Sequence, residues 1–449
     1  MSLSVNSLPS THATISCSLL HLPNHAPPTF QSRPGIPSIW RTRTNIIRPP
    51  SASSSSSSGT TKLLTFLGKG GSGKTTASVF AAQHYAMAGF KTCLVIQSQD
   101  PSAEYLLNCK IGSTPTVCDE NLSVVRLETT KILLQPLEWL KRADSRLKLT
   151  QGVLEGVVGE ELGVLPAMDS ILGAFHLGLK TGILNEDKGN YDIVIYDGMN
   201  TDETLRLFGA ASKASLYLKY VKSLAERTEI GRVVGPSVLS LVDEAMKQSF
   251  GRSYNHGNKS AEIWDALEKT LERWALRFSR SNMVHCFVTM DPTNILSVNA
   301  AWRYWGCTIQ AGIRVSGAVG FGSTEGEIGE KFGPLRVSCV PEIQMEKPLD
   351  WRLIMGEKGS QDCKAFFSSV ISEEPNDILP VKVDVATRSV TLFMPGFDKK
   401  DINLYQYRGG EELLVEAGDQ RRVIKLPSQL HGKVSGAKFV DRDLIIKIG

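Results

Sequence analysis

The chain has 449 residues, of which 41% are hydrophobic and 21% charged, a composition typical of globular proteins. This length exceeds one ordinary core, so we expect two folded units with tails. The formal net charge of +4 comes from four arginines in residues 1–58, because the rest of the chain has 46 basic and 46 acidic residues. That balance argues against nucleic acid as a partner. No apolar run approaches the roughly 18 residues that cross a bilayer, so no transmembrane segment is predicted.

Residues 1–58 differ in composition from the rest of the chain. They are rich in Ser, Pro and Thr, and arginine is their only charged residue; the first acidic residue of the chain is Asp100. This is typical of an organelle transit peptide followed by a disordered linker, the alternative being a disordered tail without a targeting role. Because no basic amphipathic helix is evident, the pattern favours a plastid over a mitochondrion, and we expect the chloroplast stroma.

From Lys62 onwards, short apolar runs alternate with helical stretches. The predicted strands are Leu63–Leu67, Thr92–Ile96, Ile193–Tyr196, Leu216–Val221, Val284–Met290, Arg314–Val319 and Val337–Val340. A helix is predicted over Lys74–Gly89, ending at the glycine. This alternation predicts an α/β domain over residues 59–371, with a mostly parallel sheet covered by helices on both faces.

Two long helical segments, about 132–180 and 224–280, exceed what a sheet crossover needs and predict a helical subdomain. Two sets of apolar residues share a helical face within it. The first is Met168, Ile171, Leu172, Phe175 and Leu179, and the second is Trp264, Leu267, Leu271 and Trp274. These faces fit an ordinary core better than a groove for a hydrophobic client, and both interpretations stay open.

The eight cysteines show no CxxC pair and no Cys/His spacing of a zinc site. We therefore expect buried or idle thiols in a reducing compartment instead of a disulfide framework. Over residues 378–449, strand-like alternation is broken by Pro and Gly turns, which predicts a C-terminal all-β sandwich of antiparallel strands.

A glycine-rich loop follows the first predicted strand and satisfies the pattern GxxxxGK[ST]. Its glycines let successive backbone N–H groups point at a phosphate, and the following helix adds the positive end of its dipole. Lys74 reaches the terminal phosphates, and the hydroxyl of Thr75 completes a Mg²⁺ shell. The alternative is a glycine-rich turn without function. The residues predicted to bind ATP are Gly68, Lys69, Gly70, Gly71, Ser72, Gly73, Lys74, Thr75 and Thr76.

Residues 62–355 resemble the arsenite-pump and tail-anchored-protein-targeting ATPases. The loop resembles their deviant Walker A motif, KGGxGKTT, in which a lysine at the position of Lys69 contacts phosphates in a partner subunit, so the resemblance implies a homodimer. Gln99-Asp100-Pro101 resembles switch I, implying that Asp100 positions or deprotonates the attacking water. Residues 196–206 resemble switch II, Asp-Thr-Ala-Pro-Thr-Gly-His-Thr-Leu-Arg, implying that Asp197 holds Mg²⁺ together with Thr75.

The chain also departs from this family. Asp202-Glu203 replaces the Gly-His pair, and Gly320-Phe321-Gly322 stands where the family presents an asparagine to adenine. The zinc-binding CxxC of the eukaryotic targeting members is absent, and Cys109 and Cys118 do not convincingly supply the clustered thiolates that arsenite pumps use.

The C-terminal segment resembles the α-crystallin domain of small heat-shock proteins. The resemblance rests on Met394–Ile402, on Leu426-Pro427 and on Ala437-Lys438-Phe439 with the apolar residues after it. We expect an appended interaction or stabilising module. Its combination with the ATPase resembles a form found in plant chloroplasts and photosynthetic bacteria.

The resemblance implies an ATP-hydrolysing switch with Mg²⁺ that chaperones or targets a hydrophobic protein segment. An alternative is a non-catalytic nucleotide-binding protein that acts through the sandwich and the helices. A subunit of an arsenite pump is the less favoured third hypothesis.

Overall fold

The computed structural model describes residues 60–128, 168–181, 190–210, 283–322, 326–344, 348–372 and 380–449, with single residues between 138 and 274. One large sheet contains the strands β1 (Lys62–Leu67), β2 (Thr92–Ile96), β3 (Thr116–Asp119), β4 (Leu122–Arg126), β5 (Ile193–Asp197), β6 (Val284–Thr289), β7 (Val315–Phe321) and β8 (Val337–Val340). The helices that accompany it are α1 (Lys74–Met87), α2 (Ser102–Leu107), α3 (Met168–Thr181), α4 (Thr201–Phe208), α5 (Ile295–Gln310), α6 (Gly326–Phe332), α7 (Trp351–Gly356) and α8 (Gln361–Ser372).

The large sheet has the strand order β3-β4-β2-β5-β1-β6-β7-β8, and its neighbours are parallel except β3 with β4. Side chains of β1 alternate between its faces: Leu64 and Phe66 pack with α1, α2 and α8, whereas Leu63 and Leu67 pack with α3 and α4. The predicted mostly parallel sheet with helices on both faces is therefore confirmed.

Most predicted strands lie within two residues of the observed ones, and two were placed without error, at Thr92–Ile96 and Val337–Val340. The strand predicted at Leu216–Val221 is wrong where the structure describes it, because Leu218 and Lys219 are helical. A short apolar run fits a buried helix as well as a buried strand. The edge strand β3 and its neighbour β4 were not predicted.

The described part of the long helical segments favours the core interpretation. Ile171 and Leu172 of α3 pack against the core on one face of the sheet. The ring of Phe175 lies 5.4 Å from that of Trp274. Most of residues 132–180 and 224–280, including Trp264 and Leu267, lies outside the described residues. None of the helices that the structure describes is long and apolar enough to cross a membrane.

The C-terminal strands form two antiparallel sheets, as predicted. They are β9 (Val381–Asp384), β10 (Ser389–Phe393), β11 (Ile402–Tyr407), β12 (Glu412–Ala417), β13 (Gln420–Lys425), β14 (Val434–Val440) and β15 (Asp443–Ile448). One sheet has the order β14-β15-β10-β9 and the other β11-β12-β13. Alternate residues such as Val390, Leu413 and Ile446 are fully buried between them. This all-β unit is a sandwich.

The sandwich packs directly on helix α5. Nη1 of Arg303 donates to the carbonyl of Gly396 at 2.9 Å and to the carboxylate of Asp401 at 2.8 Å, and its guanidinium lies 3.9 Å from the ring centre of Phe397. Gly306 touches the same segment, where a Cβ would overlap the carbonyl oxygen of Pro395. The sandwich and helix α5 therefore share an interface with little free space around Gly306.

One expectation about the cysteines is wrong. Cys109 and Cys118 form a disulfide, with their Cα atoms 6.0 Å apart. The antiparallel pairing of β3 with β4 folds the chain back onto the end of α2, an approach that the spacing of nine residues does not reveal. Cys93, Cys286 and Cys363 are buried, in agreement with the expectation for thiols.

Candidate functional site

The glycine-rich loop joins the carboxyl end of β1 to the start of α1, at the edge where the parallel strands end. Gly71 and Gly73 have φ angles of +80° and +81°, a region that disfavours residues with a side chain. The backbone N–H of Ser72 donates to the carbonyl of Lys69 at 3.1 Å. The loop therefore curves tightly before α1 begins, which is the geometry of an anion-binding nest.

Lys74 lies across the mouth of this loop. Its Nζ donates to the carbonyl oxygens of Gly68, at 3.1 Å, and Lys69, at 3.3 Å. Burial lowers the pKa of Lys74, and the charge of Asp197 opposes that shift. No acidic residue stands in the first turn of α1, where its negative charge would repel an anion. A lysine ammonium and a helix N-terminus thus converge on one position suited to phosphate.

Thr75 and Asp197 form the second feature of the site. The hydroxyl of Thr75 donates to Oδ2 of Asp197 at 2.8 Å, and Asp197 is only 2% exposed at the end of β5. Burial raises the pKa of Asp197 to about 6, against the opposing hydrogen bond from Thr75 and the charge of Lys74. Two hard oxygen ligands beside a phosphate-binding loop fit Mg²⁺, which takes few protein ligands and completes its shell with water and phosphate.

Asp100 lies on the loop after β2, at the same edge of the sheet. Its Oδ1 accepts hydrogen bonds from the hydroxyl of Ser102 and from the backbone N–H of Ser102, the latter at 2.6 Å. These bonds lower the pKa of Asp100, so its exposed carboxylate is ionised at neutral pH. Its charge is also a minor cause of the raised pKa of Asp197.

The switch II-like segment is tied to the glycine-rich loop through a hydroxyl. Oγ1 of Thr201 accepts from the backbone N–H of Gly68 at 2.8 Å and donates to the carbonyl of Gly68 at 2.9 Å. Asn200 caps α4 by accepting from the backbone N–H of Glu203 at 2.8 Å. Asp202 and Glu203, the residues that depart from the family pattern, lie in the first turn of α4.

Three contacts of the loop were not predicted. Oγ of Ser72 lies 2.9 Å from Oγ1 of Thr289, the last residue of β6. Thr289 also donates to the carbonyl of Leu67 at 3.3 Å. The ring of Phe321, at the end of β7, occupies the space where a side chain at Gly73 would stand. A hydroxyl or an aromatic ring at the carboxyl end of a parallel strand is the sequence signal that could have pointed to these residues.

The structure thus brings Ser72, Lys74, Thr75, Asp100 and Asp197 to one edge of the sheet. The other predicted binding residues stand on the same loop: Gly68, Lys69, Gly70, Gly71, Gly73 and Thr76. The side chain of Lys69 is exposed at the start of the loop. Within the parts of the chain that the structure describes, no group of three His, Cys, Asp or Glu side chains is placed to hold a metal ion.

The sequence matches two family models. Residues 61–278 match the model described as anion-transporting ATPase, and residues 386–448 match the model of an HSP20-like domain found in ArsA. The chain carries both domains of an ArsA-type ATPase. The glycine-rich loop, Asp100, Asp197 and the switch II-like segment all lie within the ATPase domain, and strands β10–β15 lie in the HSP20-like domain. The predicted family and its C-terminal domain are therefore confirmed.

Relatives match most of the chain or part of it. The chain is 25% identical over 412 residues to the "Putative arsenical pump-driving ATPase" of Chlorobaculum tepidum, a match that covers 86% of this chain and 95% of the relative. It is 26% identical over 422 residues to "Putative arsenical pump-driving ATPase 1" of Aquifex aeolicus, covering 86% of this chain and 99% of that relative. A shorter match, 32% identical over 151 residues, is to "ATPase ASNA1 homolog 1" of Paramecium tetraurelia, covering 31% of this chain and 40% of the relative.

Proposed function

We propose that the chain binds ATP with Mg²⁺ and hydrolyses it, and that it uses the cycle as a molecular switch. The observation that carries this proposal is the 2.8 Å hydrogen bond between Thr75 and the buried Asp197, directly beside Lys74 and the glycine-rich loop. A strand-end aspartate without a role in metal binding gains nothing from burial, because burial destabilises its charge. A cation held by Asp197 and Thr75 would offset that cost.

Each group of residues in the site has its own role in the proposed hydrolysis. Backbone N–H groups of the loop and the ammonium of Lys74 hold the terminal phosphates and stabilise charge that develops on them. Thr75 and Asp197 would hold Mg²⁺, which would neutralise negative charge on the phosphates. The ionised carboxylate of Asp100 accepts a hydrogen bond from the attacking water and orients it. Lys69 is exposed, so it can reach the phosphates of a second copy across a homodimer interface.

Steady-state phosphate release tests this proposal. We expect Lys74→Ala to abolish binding and turnover, and Asp100→Asn to reduce turnover while binding persists, because the amide keeps the shape of the side chain but is a far weaker base. The control Asp419→Asn removes one exposed carboxylate of the HSP20-like domain and should leave both unchanged. Wild-type protein that retains ATP for hours without hydrolysing it would instead support the non-catalytic alternative.

We further propose a homodimer in the plastid stroma whose nucleotide state governs the binding of a hydrophobic protein segment. The transit-peptide composition of residues 1–58 supports the compartment, and the likeness to an ASNA1 homologue supports the client class. Purification of the Asp100→Asn variant from plastids, followed by mass spectrometry of the proteins bound to it, tests both. Recovery of the mature chain from the cytosol, or a variant that retains no hydrophobic protein, would contradict this part of the proposal.

A further inference from the structure

The disulfide between Cys109 and Cys118 joins two elements next to the nucleotide site. Cys109 follows the last turn of α2, and Cys118 lies in the edge strand β3. Both side chains are half-buried and pack against the core on that face of the sheet. The bond therefore fastens the far end of α2 to the edge of the sheet while remaining open to a reagent in solvent.

Helix α2 connects this disulfide to Asp100. It begins at Ser102, whose backbone N–H and hydroxyl both donate to the carboxylate of Asp100. It has six residues, so at 1.5 Å per residue it is about 9 Å long. A helix of this length moves as one piece, and a restraint at its C-terminal end limits the position of the carboxylate at its N-terminal end.

Arg126 provides a second link between the same elements. Its guanidinium, 10% exposed, donates to the carbonyl of Ser98 at 2.6 Å and to the carboxylate of Glu104 at 2.8 Å. Ser98 lies on the loop that carries Asp100, and Glu104 lies on α2. Arg126 ends β4, the strand that pairs with β3. The hairpin that carries Cys118 therefore also holds the Asp100 loop.

Four other described cysteines are poor candidates for reaction with a thiol reagent. Burial raises the pKa of Cys93 and of Cys363 to about 12, and that of the half-buried Cys307 to about 11. Cys286 is fully buried and its pKa is raised for the same reason. Thiolate is the reactive form, so these thiols react slowly. Exchange is thus directed to the Cys109–Cys118 bond.

We infer that Cys109 and Cys118 form a reversible dithiol–disulfide site that controls how firmly the Asp100 loop is held. The co-reactant is a dithiol reductant. Its thiolate attacks one sulfur of the disulfide to form a mixed disulfide, and its second thiolate displaces the protein thiol. The Cys109–Cys118 bond breaks, the protein gains two electrons and two protons, and the reductant becomes a cyclic disulfide.

The two states differ in the restraint on α2. In the disulfide state, α2 is fastened at both ends and the carboxylate of Asp100 is positioned for water. In the dithiol state, α2 keeps Arg126, its packing and the 2.7 Å hydrogen bond from the indole N–H of Trp351 to the carbonyl of Leu106, but it loses the covalent restraint. Asp100 is then less well ordered and turnover falls. This effect on turnover rests on the proposed hydrolysis of ATP.

The first test compares turnover of the full mature chain before and after reduction with dithiothreitol, with the thiols counted by maleimide labelling and mass spectrometry. We expect reduction to lower kcat by at least about fivefold, the lower end of typical coupling between sites. Cys109→Ser and Cys118→Ser should each show the low value under all conditions. Cys307→Ser, a thiol outside the pair, should respond as wild type does. Equal or higher turnover after reduction, or a disulfide that diamide cannot close in the folded chain, would overturn the inference.

A second readout separates this inference from the proposed function. Coupling between equilibria is reciprocal, so a bound non-hydrolysable ATP analogue with Mg²⁺ should change the ratio of disulfide to dithiol that a dithiothreitol redox buffer sets. If the chain hydrolyses no ATP in either redox state but the analogue shifts this ratio, the hydrolysis proposal fails and the redox link stands. If the chain hydrolyses ATP equally fast in both redox states and the analogue leaves the ratio unchanged, the redox link fails alone.

Discussion

The hydroxyl of Thr201 makes two hydrogen bonds to Gly68, accepting from its backbone N–H at 2.8 Å and donating to its carbonyl at 2.9 Å. Thr201 is the first residue of α4, and Gly68 is the first residue of the glycine-rich loop. One side chain thus bonds both backbone groups of Gly68 in a buried position. This relationship couples the switch II-like segment to the glycine-rich loop.

Replacing Thr201 with valine should weaken nucleotide binding. Valine keeps the shape of threonine but leaves the N–H of Gly68 without its partner and its carbonyl with the hydrogen bond from Nζ of Lys74 alone, at a cost of about 1–3 kcal/mol. We expect about tenfold weaker ATP binding by calorimetry and a lower melting temperature. Thr201→Ser keeps the hydroxyl and should remain near wild type. Equal affinity in the valine and wild-type proteins would show that this contact does not shape the site.

A side chain at Gly73 should disrupt the loop for two separable reasons. Its φ of +81° disfavours alanine by about 1–2 kcal/mol, and the added Cβ would overlap the ring of Phe321. Gly73→Ala should therefore lose most ATP binding. In the double variant Gly73→Ala, Phe321→Ala, the overlap is relieved but the backbone strain stays, so affinity should recover in part. Full recovery, or none, would mean that one of the two causes is absent.

Asp197→Asn should remove the magnesium dependence of ATP binding. The amide removes the anionic ligand to Mg²⁺, and it also removes a negative charge beside Lys74. We expect binding in EDTA to stay the same or strengthen, while the gain on adding Mg²⁺ disappears. Calorimetric titrations with and without Mg²⁺ measure this difference, and Asp419→Asn serves as the charge-matched control. A preserved magnesium effect would exclude Asp197 as a ligand.

His84 should make the protein less stable in acid. Burial lowers its pKa from 6.5 to about 4, with the charge of Lys364 as a second cause, so the unfolded chain binds more protons between these values. Stability therefore falls as pH falls from 6.5 towards 4, by about 2 kcal/mol at pH 5. Urea unfolding of His84→Gln at pH 7.5 and pH 5 should show a smaller loss than wild type. An unchanged loss would locate the acid sensitivity elsewhere.

Two helical glycines provide a matched test of the interface between the domains. A Cβ on Gly306 would overlap the carbonyl oxygen of Pro395 and lie 2.7 Å from the ring of Phe397, whereas Gly329 has open space around it. Gly306→Ala should destabilise the packed sandwich by about 1–3 kcal/mol, and Gly329→Ala should be neutral or stabilising by about 0.5–1 kcal/mol. Calorimetry should show a separate, earlier transition of the sandwich in the Gly306 variant. Identical melting of the two variants would mean that α5 does not support the sandwich.

The sequence by itself determined the local features of this protein. Residues close together in the chain create three features, which can therefore be predicted from the sequence. These are the alternation of buried strand and helix, the glycine-rich loop before Lys74 and the position of Asp197 at the end of a strand. The period-two alternation after Pro380 likewise predicted the sandwich. Where a local pattern suited two structures, as at Leu216–Val221, the prediction was wrong.

The tertiary structure decided the contacts between distant segments. Gly68 and Thr201 are 133 residues apart in the chain, and Ser72 and Thr289 are 217 apart. The strand order of the sheet determines which hydroxyl group contacts the glycine-rich loop. It also determines the approach of Cys118 to Cys109. The docking of the sandwich on α5 depends on the space left at Gly306. Such contacts follow from packing of whole elements, which local propensity does not specify.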